Sequence, residues 1–155
     1  MIATSHPFQL NIDGLASDLG VSRPSLYNYL DILETGGLLR SLSSAARGAK
    51  RIRKPGKLLF DNTNLLFAIA GSFKDEAGIG TLRETFFAGQ LSLVHKLTLH
   101  AKADFLVDNR LVFEIGGPGK GKKQIAGRPG AYLVQDGIEI GFAETIPLYL
   151  FGFLY

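Results

Sequence analysis

The sequence contains no cysteine, only three histidines, and no apolar stretch long enough to span a bilayer. Without cysteine there is neither a disulfide framework nor thiolate chemistry, which is compatible with the cytoplasm. The histidines lack ligand spacing, so we expect no zinc site. The very apolar segment 146–155 is far shorter than the roughly 20 residues that a membrane span needs, and we expect it to be a buried closing segment.

The N-terminus also lacks the charged region and apolar run of a signal peptide, so we predict a cytoplasmic protein with no membrane partner. Of the 155 residues, 46% are hydrophobic and 20% are charged. This composition is typical of a globular chain with one or two small domains. No fixed-period repeat is present.

Residues 12–39 have the pattern of a helix-turn-helix. Gly20 stands where a tight turn favours a residue that tolerates positive φ. Ser22 is placed to cap a second helix, with Pro24 in its first turn. Gly36 and Gly37 end that helix. Its apolar face carries Leu26, Leu30 and Leu33. Such a helix can enter a DNA major groove.

A basic, acid-free segment follows, and the pattern predicts the wing of a winged helix. Strands are expected at 38–42 and 57–60, with the tip at Gly48. Segment 40–57 contains seven basic residues and no acidic one. The rest of the chain has 10 basic and 14 acidic residues, so the net charge of the whole chain, +3, comes from this segment. These seven are Arg40, Arg47, Lys50, Arg51, Arg53, Lys54 and Lys57. A focused basic strip favours phosphate contact that weakens with salt.

We therefore predict duplex DNA as a partner. The predicted contacts are Ser22, Arg23, Ser25, Tyr27, Asn28, Arg47, Lys50, Arg51, Arg53 and Lys54. A protein-docking role remains an alternative, because helix-turn-helix folds also bind proteins and because Asp31 and Glu34 would repel phosphate at the far end of the second helix.

The second half has the pattern of a small α/β or α+β domain. A helical segment over 61–70 links it to the wing, and 71–80 is expected to be a loop. A helix is predicted over 81–93, with Thr81 as N-cap and Glu84 completing a capping box. Four strands are expected, at 103–107, 111–115, 131–135 and 138–142.

Two carboxylates on neighbouring predicted strands, Asp104 and Glu114, are candidate ligands for a divalent cation. A Glu-x-Lys motif would place a lysine at position 116, but Gly116 stands there. The nearest lysines are Lys120, Lys122 and Lys123. The alternative is that both acids are solvated or ion-paired at strand ends.

The segment 116–123 fits G-x-x-x-x-G-K, but it ends in Lys123 where a phosphate loop has serine or threonine. The glycines and proline at 127–130 also leave little room for the helix that would hold a phosphate. We therefore expect no ATP binding by this chain.

The order of these parts resembles the C-terminal half of prokaryotic AAA+-type ATP-binding proteins. The resemblance rests on "LASDLGVSRPSLYNYLDILETGGLLRSL", "RIRKPGKLLFDNTNLLFAIA", "IGTLRETFFAGQL" and "ADFLVDNRLVFEIGG", and it covers nearly the whole chain. In that family an ATPase domain precedes a winged helix and an uncharacterised domain similar to PD-(D/E)XK nucleases. The resemblance implies an α+β chain, with a winged helix-turn-helix over 1–60 and a restriction-endonuclease-like domain over 61–155.

The same resemblance implies candidate site residues. Glu84 resembles the helix glutamate, Asp104 the aspartate of the "VDF" strand, and Glu114 the glutamate of the "E-V-K" strand. Lys122 or Lys123 is the expected substitute for the absent lysine, and Gln124 is a further polar candidate. Asp104 and Glu114 would hold magnesium or manganese if the site is active.

The resemblance also implies a missing ATPase half, which would bind ATP and be a partner of this chain. The absent Glu-x-Lys lysine favours a non-catalytic DNA-binding and regulatory region with a degenerate nuclease-like site. A metal-dependent nuclease and a docking module for the ATPase half are the alternatives.

Overall fold

The computed structural model describes residues 11–44, 56–70 and 76–155. The chain is a mixture of α-helices and β-sheets, which confirms the predicted α+β class. Its first part comprises α1 (Ile12–Asp18), α2 (Arg23–Thr35), β1 (Leu39–Leu42) and β2 (Lys57–Phe60). Two helices, five strands and a short helix follow: α3 (Thr63–Ala70), α4 (Glu76–Leu91), β3 (Leu97–Leu99), β4 (Phe105–Val107), β5 (Leu111–Gly116), β6 (Ala131–Gln135), β7 (Thr145–Pro147) and a 3-10 helix (Leu148–Phe153).

The two N-terminal helices form where the sequence predicts them. Gly20 adopts a φ of +65° between them, a conformation that residues with a Cβ rarely adopt. The Ser22 hydroxyl accepts a hydrogen bond from the backbone N–H of Ser25 (3.2 Å) and caps α2. Gly37, at φ +68°, follows the end of α2 and lets the chain enter β1.

The two strands predicted around the wing form as β1 and β2 and pair antiparallel, with Leu39 opposite Phe60. The predicted wing tip, in segment 45–55, lies outside the described residues. All four residues of β2 are buried. Leu58 and Phe60 pack in a cluster with α1, α2 and α3, whereas Leu59 packs in the cluster beneath the second sheet. The alternation of side chains along a strand therefore gives β2 one face for each core.

Helix α4 begins earlier than the sequence predicts. It starts at Glu76, so the expected loop over 71–80 is wrong for residues 76–80, and Thr81 lies inside the helix rather than at its N-cap. Buried Phe87 and Leu91 pack on the second sheet. Burial against this sheet, not a capping box, determines where Glu84 lies.

The second sheet has the order β3-β4-β5-β6-β7. Strands β3, β4 and β5 pair antiparallel, whereas β6 pairs parallel with β5 and β7 parallel with β6. The predicted hairpin β4–β5 and strand β6 are confirmed. One sheet face packs on α4 and the 3-10 helix, and Ile125 covers Val112 and Leu133 in a smaller cluster.

The predicted strand over 138–142 is wrong. Residues 139 and 140 form a bend between two turns, a single bridge joins Phe142 to Thr145, and β7 follows as an edge strand. The C-terminal segment is only partly buried: Leu148 and Phe151 enter the core, whereas Phe153 is 78% exposed. Among the described residues, no helix combines the length and the apolar character that crossing a membrane requires.

Candidate functional site

Three carboxylates converge in the second half of the chain, and we call them the acid cluster: Glu84 on α4, Asp104 just before β4, and Glu114 on β5. Glu84 and Glu114 are buried, and Asp104 is half-buried. Asp104 raises the pKa of both other carboxyl groups through its negative charge. The three residues are 20 and 10 positions apart in the sequence. The β4–β5 hairpin brings Asp104 beside Glu114, and the packing of α4 on the sheet adds Glu84.

Glu114 is the most deeply buried member of the acid cluster, with 1% of its side chain exposed. The Lys120 ammonium lies 2.6 Å from its Oε1, and the Gln124 amide lies against both of its carboxylate oxygens. Burial raises the pKa of Glu114, and the hydrogen bond from Lys120 opposes that rise. Lys120 and Gln124 thus supply polar partners for a carboxylate shielded from water.

Lys120 reaches Glu114 through the space that Gly116 leaves open. Residues 114 and 116 lie on the same face of β5, because side chains alternate along a strand. A Cβ at position 116 would lie 2.4 Å from both Cβ and Cγ of Lys120. The Lys120 stem therefore occupies the volume in which a side chain at position 116 would begin, which is where a Glu-x-Lys lysine would start.

Glu84 is paired with a lysine from the first part of the chain. Lys57, the first residue of β2, places its ammonium 2.6 Å from Glu84 Oε2, and both side chains are buried. The same ammonium lies 5.6 Å from the centre of the Phe105 ring. Burial raises the pKa of Glu84 to about 7; Lys57 opposes this rise, and Asp104 adds to it through its charge and a side-chain hydrogen bond.

Asp104 is tied to β5 through the backbone. Its Oδ2 accepts a hydrogen bond from the N–H of Ile115 (2.7 Å). This contact holds Asp104 beside Glu114, the residue before Ile115. The sequence-predicted pair of carboxylates is therefore brought together on adjacent strands.

The donor chemistry of the acid cluster suits a hard divalent cation. Magnesium prefers carboxylate oxygens, often binds through only one or two of them, and keeps several waters. The three carboxyl groups are accompanied by two ammonium groups, those of Lys57 and Lys120. Within the described ranges, no group of three or more Asp, Glu, His or Cys residues has the geometry of a complete metal site. Asp104 and Glu114 offer the carboxylate oxygens that the predicted metal needs, but those of Glu114 are already in contact with Lys120 and Gln124.

Lys122 does not reach the acid cluster, contrary to the prediction. Its ammonium lies 3.1 Å from Glu144 Oε2 and 5.5 Å from the centre of the Phe142 ring. Lys123 is exposed. The G-x-x-x-x-G-K segment is followed by turns, not by a helix, up to the start of β6.

Four of the five predicted DNA contacts in and before α2 also make contacts within the chain. Arg23 lies 2.6 Å from Asp13, with both side chains exposed. The Ser22 and Ser25 hydroxyls hydrogen-bond each other (2.8 Å) at the helix cap. Tyr27 is half-buried against the helical core, and Asn28 is exposed.

Two of the seven basic residues assigned to the wing are neutralised by acids. Arg40 lies 2.5 Å from Asp61 Oδ1, and Lys57 is buried with Glu84. The remaining five lie outside the described residues: Arg47, Lys50, Arg51, Arg53 and Lys54. Any phosphate-binding strip in this segment therefore depends on those five.

Comparison with known proteins adds one match. Residues 1–76 are similar to a family described as a domain of unknown function (DUF8612). The match covers just under half of the chain and ends before the acid cluster. No curated protein and no solved structure matches the chain.

Sequence reasoning missed the roles of Lys57 and Lys120. Lys57 belongs to the basic segment by composition, and only its position on the inward face of β2 separates it from the others. The signal for Lys120 was Gly116 itself, because a glycine two residues after a buried glutamate leaves room for a side chain from elsewhere.

Proposed function

We propose that this chain hydrolyses phosphodiester bonds of nucleic acid at the acid cluster, with a divalent cation. The observation that carries the proposal is the position of Lys120, whose ammonium contacts Glu114 from the place that Gly116 leaves open. The missing lysine at position 116 was the reason to expect an inactive site. Lys120 removes that reason.

Each residue has a distinct role in this proposal. Asp104 and Glu114 would hold magnesium or manganese, which when bound activates water and stabilises charge on a phosphate. The hydrogen bond and negative charge of Glu114 raise the pKa of Lys120, although partial burial opposes this rise. Lys120 is therefore a permanent cation near pH 7, suited to stabilising charge on a phosphate and not to accepting a proton.

The test compares two lysines of one loop. We expect a Mn²⁺- or Mg²⁺-dependent cleavage of plasmid and of single-stranded DNA, which Lys120→Met reduces about 100-fold or more, the loss typical of removing one electrostatic donor. Lys122→Met is the matched control and should cleave as the parent does, since Lys122 is held by Glu144. Glu114→Gln should be inactive.

The proposal fails if the parent chain cleaves neither substrate with either metal. It also fails if Lys120→Met and Lys122→Met lower the rate equally, because cleavage would then not depend on the Glu114 contact. Circular dichroism of each variant establishes that the fold is retained.

A second candidate is nucleic-acid binding without cleavage, as part of an ATPase-associated regulatory region. The burial of Glu84 and Glu114, each already paired with an ammonium group, favours this candidate. Fluorescence anisotropy with labelled duplex DNA distinguishes the two: salt-sensitive binding by a chain that does not cleave supports the second candidate alone.

A further inference from the structure

We infer that Gln135, together with the Arg83–Asp136 pair, positions the turn that delivers Lys120 to Glu114. We call residues 116–120 the Lys120 turn. Gln135 and Asp136 hydrogen-bond the backbone of this turn, and the Arg83 guanidinium group packs on it. The positioning of Lys120 can be tested without the proposed function, which only the cleavage measurement below requires.

Three successive carbonyl groups of the Lys120 turn are held from the end of β6. The Gln135 side chain donates from Nε2 to the carbonyl oxygens of Gly117 (2.9 Å) and Pro118 (2.7 Å). The backbone N–H of Asp136 donates to the carbonyl oxygen of Gly116 (2.8 Å). The N–H of Lys120 itself closes the turn on Gly117 (3.0 Å). The path of the chain from Gly116 to Lys120 is therefore fixed by the strand next to β5.

A glutamine side chain matches the hydrogen-bonding requirements at position 135. It is buried at the end of β6, where a side chain needs partners for its polar atoms. Its amide nitrogen has two hydrogens, and each has a carbonyl acceptor on the turn. A methionine of similar size would fill the same volume and donate neither hydrogen bond.

Arg83 on α4 also contacts the Lys120 turn. Its Nε lies 2.9 Å from Asp136 Oδ2, and its guanidinium group packs so closely on Gly117 that a Cβ there would lie 2.9 Å from one of its nitrogens. Arg83 directly precedes Glu84 on α4. The helix that supplies Glu84 to the acid cluster therefore also contacts the turn that supplies Lys120.

This arrangement has a consequence for Lys120. A lysine directly on β5 would be oriented by the strand, whereas Lys120 lies four residues beyond the strand end and depends on the turn. Displacement of a site group by about 1 Å can lower a reaction rate about 100-fold. Losing the two Gln135 hydrogen bonds should release the Lys120 ammonium from Glu114 while α4 and the sheet remain folded.

The experiment measures ammonium mobility in the full chain. Lysine ¹⁵N relaxation is recorded for the ammonium groups of Lys120 and Lys57, assigned with Lys120→Met and Lys57→Met. In Gln135→Met we expect the Lys120 ammonium to become mobile, while the Lys57 ammonium, buried beside Glu84, stays rigid. Gln90→Met, a glutamine on α4 away from the turn, should leave both unchanged.

The kinetic arm uses the same variants. Gln135→Met should lower kcat of metal-dependent cleavage about tenfold and leave KM within about twofold. Arg83→Met should act in the same direction, and it decides the question alone if Gln135→Met does not fold.

A Lys120 ammonium that stays rigid in folded Gln135→Met and Arg83→Met overturns the inference, as does one that is already mobile in the parent chain. If the parent does not cleave nucleic acid, the proposed function fails, and the relaxation measurement still decides whether Gln135 positions Lys120.

Discussion

At the scale of single residues, the chemistry of the acid cluster depends on one position without a side chain. Gly116 shares a strand face with Glu114, and the Lys120 stem fills the space beside it. The identity of residue 116 therefore determines whether a lysine can reach Glu114 from the following turn.

Gly116→Ala tests this dependence. The added Cβ would lie 2.4 Å from two Lys120 atoms, so the lysine must move away from Glu114. We expect a loss of about 1–3 kcal/mol in the free energy of unfolding, as for other overpacked sites. Urea denaturation measures it. Gly121→Ala is the matched control, because no atom lies within 4 Å of its added Cβ; equal losses in both variants would contradict the prediction.

Glu84 makes a second prediction at this scale, about pH. Its pKa is about 7 in the folded protein, above an ordinary value of 4.5, because it is buried. Between these two values the folded state keeps a proton that the unfolded state has lost, so stability falls as pH rises from about 4.5 to 7. The loss attributable to Glu84 is on the order of 3 kcal/mol.

Urea denaturation across this pH range provides the measurement. Glu84→Gln should reduce the slope of stability against pH, while the contribution of Glu114 remains, since burial also raises the pKa of that group. Glu139→Gln, at a turn outside the acid cluster, should keep the parent slope. Parallel curves for Glu84→Gln and the parent would refute the assignment.

At the scale of elements, β2 joins the two parts of the chain. Its Leu58 and Phe60 enter the helical core, and its Lys57 and Leu59 face α4 and the second sheet. Only Gly56 separates segment 45–55 from Lys57. Strand β2 thus supplies a cation to the acid cluster.

Lys57→Met tests this link between β2 and α4. Removing the ammonium leaves Glu84 buried without its cation, so the carboxyl group must either stay charged or take up a proton, which should cost about 3–5 kcal/mol at pH 8. The double variant Lys57→Met with Glu84→Leu should recover most of that loss. Urea denaturation measures both.

Arg23→Met is the comparison for an exposed pair. Arg23 and Asp13 are both open to solvent, and such pairs contribute less than about 1 kcal/mol. A similar cost for Lys57→Met and Arg23→Met would show that the buried pair contributes no more than a surface one.

At the scale of the whole molecule, positive charge is unevenly distributed. The basic residues described between residues 11 and 60 are Arg23, Arg40 and Lys57, and each lies beside a carboxylate. Attraction of a polyanion to this part of the chain therefore depends on the five basic residues of segment 45–55. That these residues bind nucleic acid stays a prediction.

A salt series tests it. The triple variant Arg51→Ala, Arg53→Ala and Lys54→Ala should bind labelled duplex DNA more weakly, with a slope of log affinity against log salt shallower by about 2–3 units. Fluorescence anisotropy measures the slope. Arg40→Ala should leave it unchanged, because Asp61 already neutralises Arg40. A shallower slope for Arg40→Ala alone, or an unchanged slope for the triple variant, would contradict this charge assignment.

Sequence by itself determined the features that depend on neighbouring residues. The cap at Ser22, the positive φ of Gly20 and Gly37, the β1–β2 pair and the hairpin β4–β5 all follow from local sterics, hydrogen bonding and alternation of apolar residues. Alternation along the predicted strands selected Asp104 and Glu114, and the family resemblance added Glu84 to them. Sequence reasoning was wrong at Thr81 and over 138–142, where burial against the sheet and pairing with β6 override local patterns.

Only the tertiary structure decided which cations neutralise those acids. Lys57 and Lys122 look alike in sequence, each a lysine in a basic stretch, yet one is buried against Glu84 and the other lies beside Glu144 at the surface. Lys120 reaches Glu114 because Gly116 leaves room and Gln135 holds the turn, and these residues meet through the parallel pairing of β5 with β6. Contacts between residues far apart in the chain depend on how the elements pack, which no local pattern specifies.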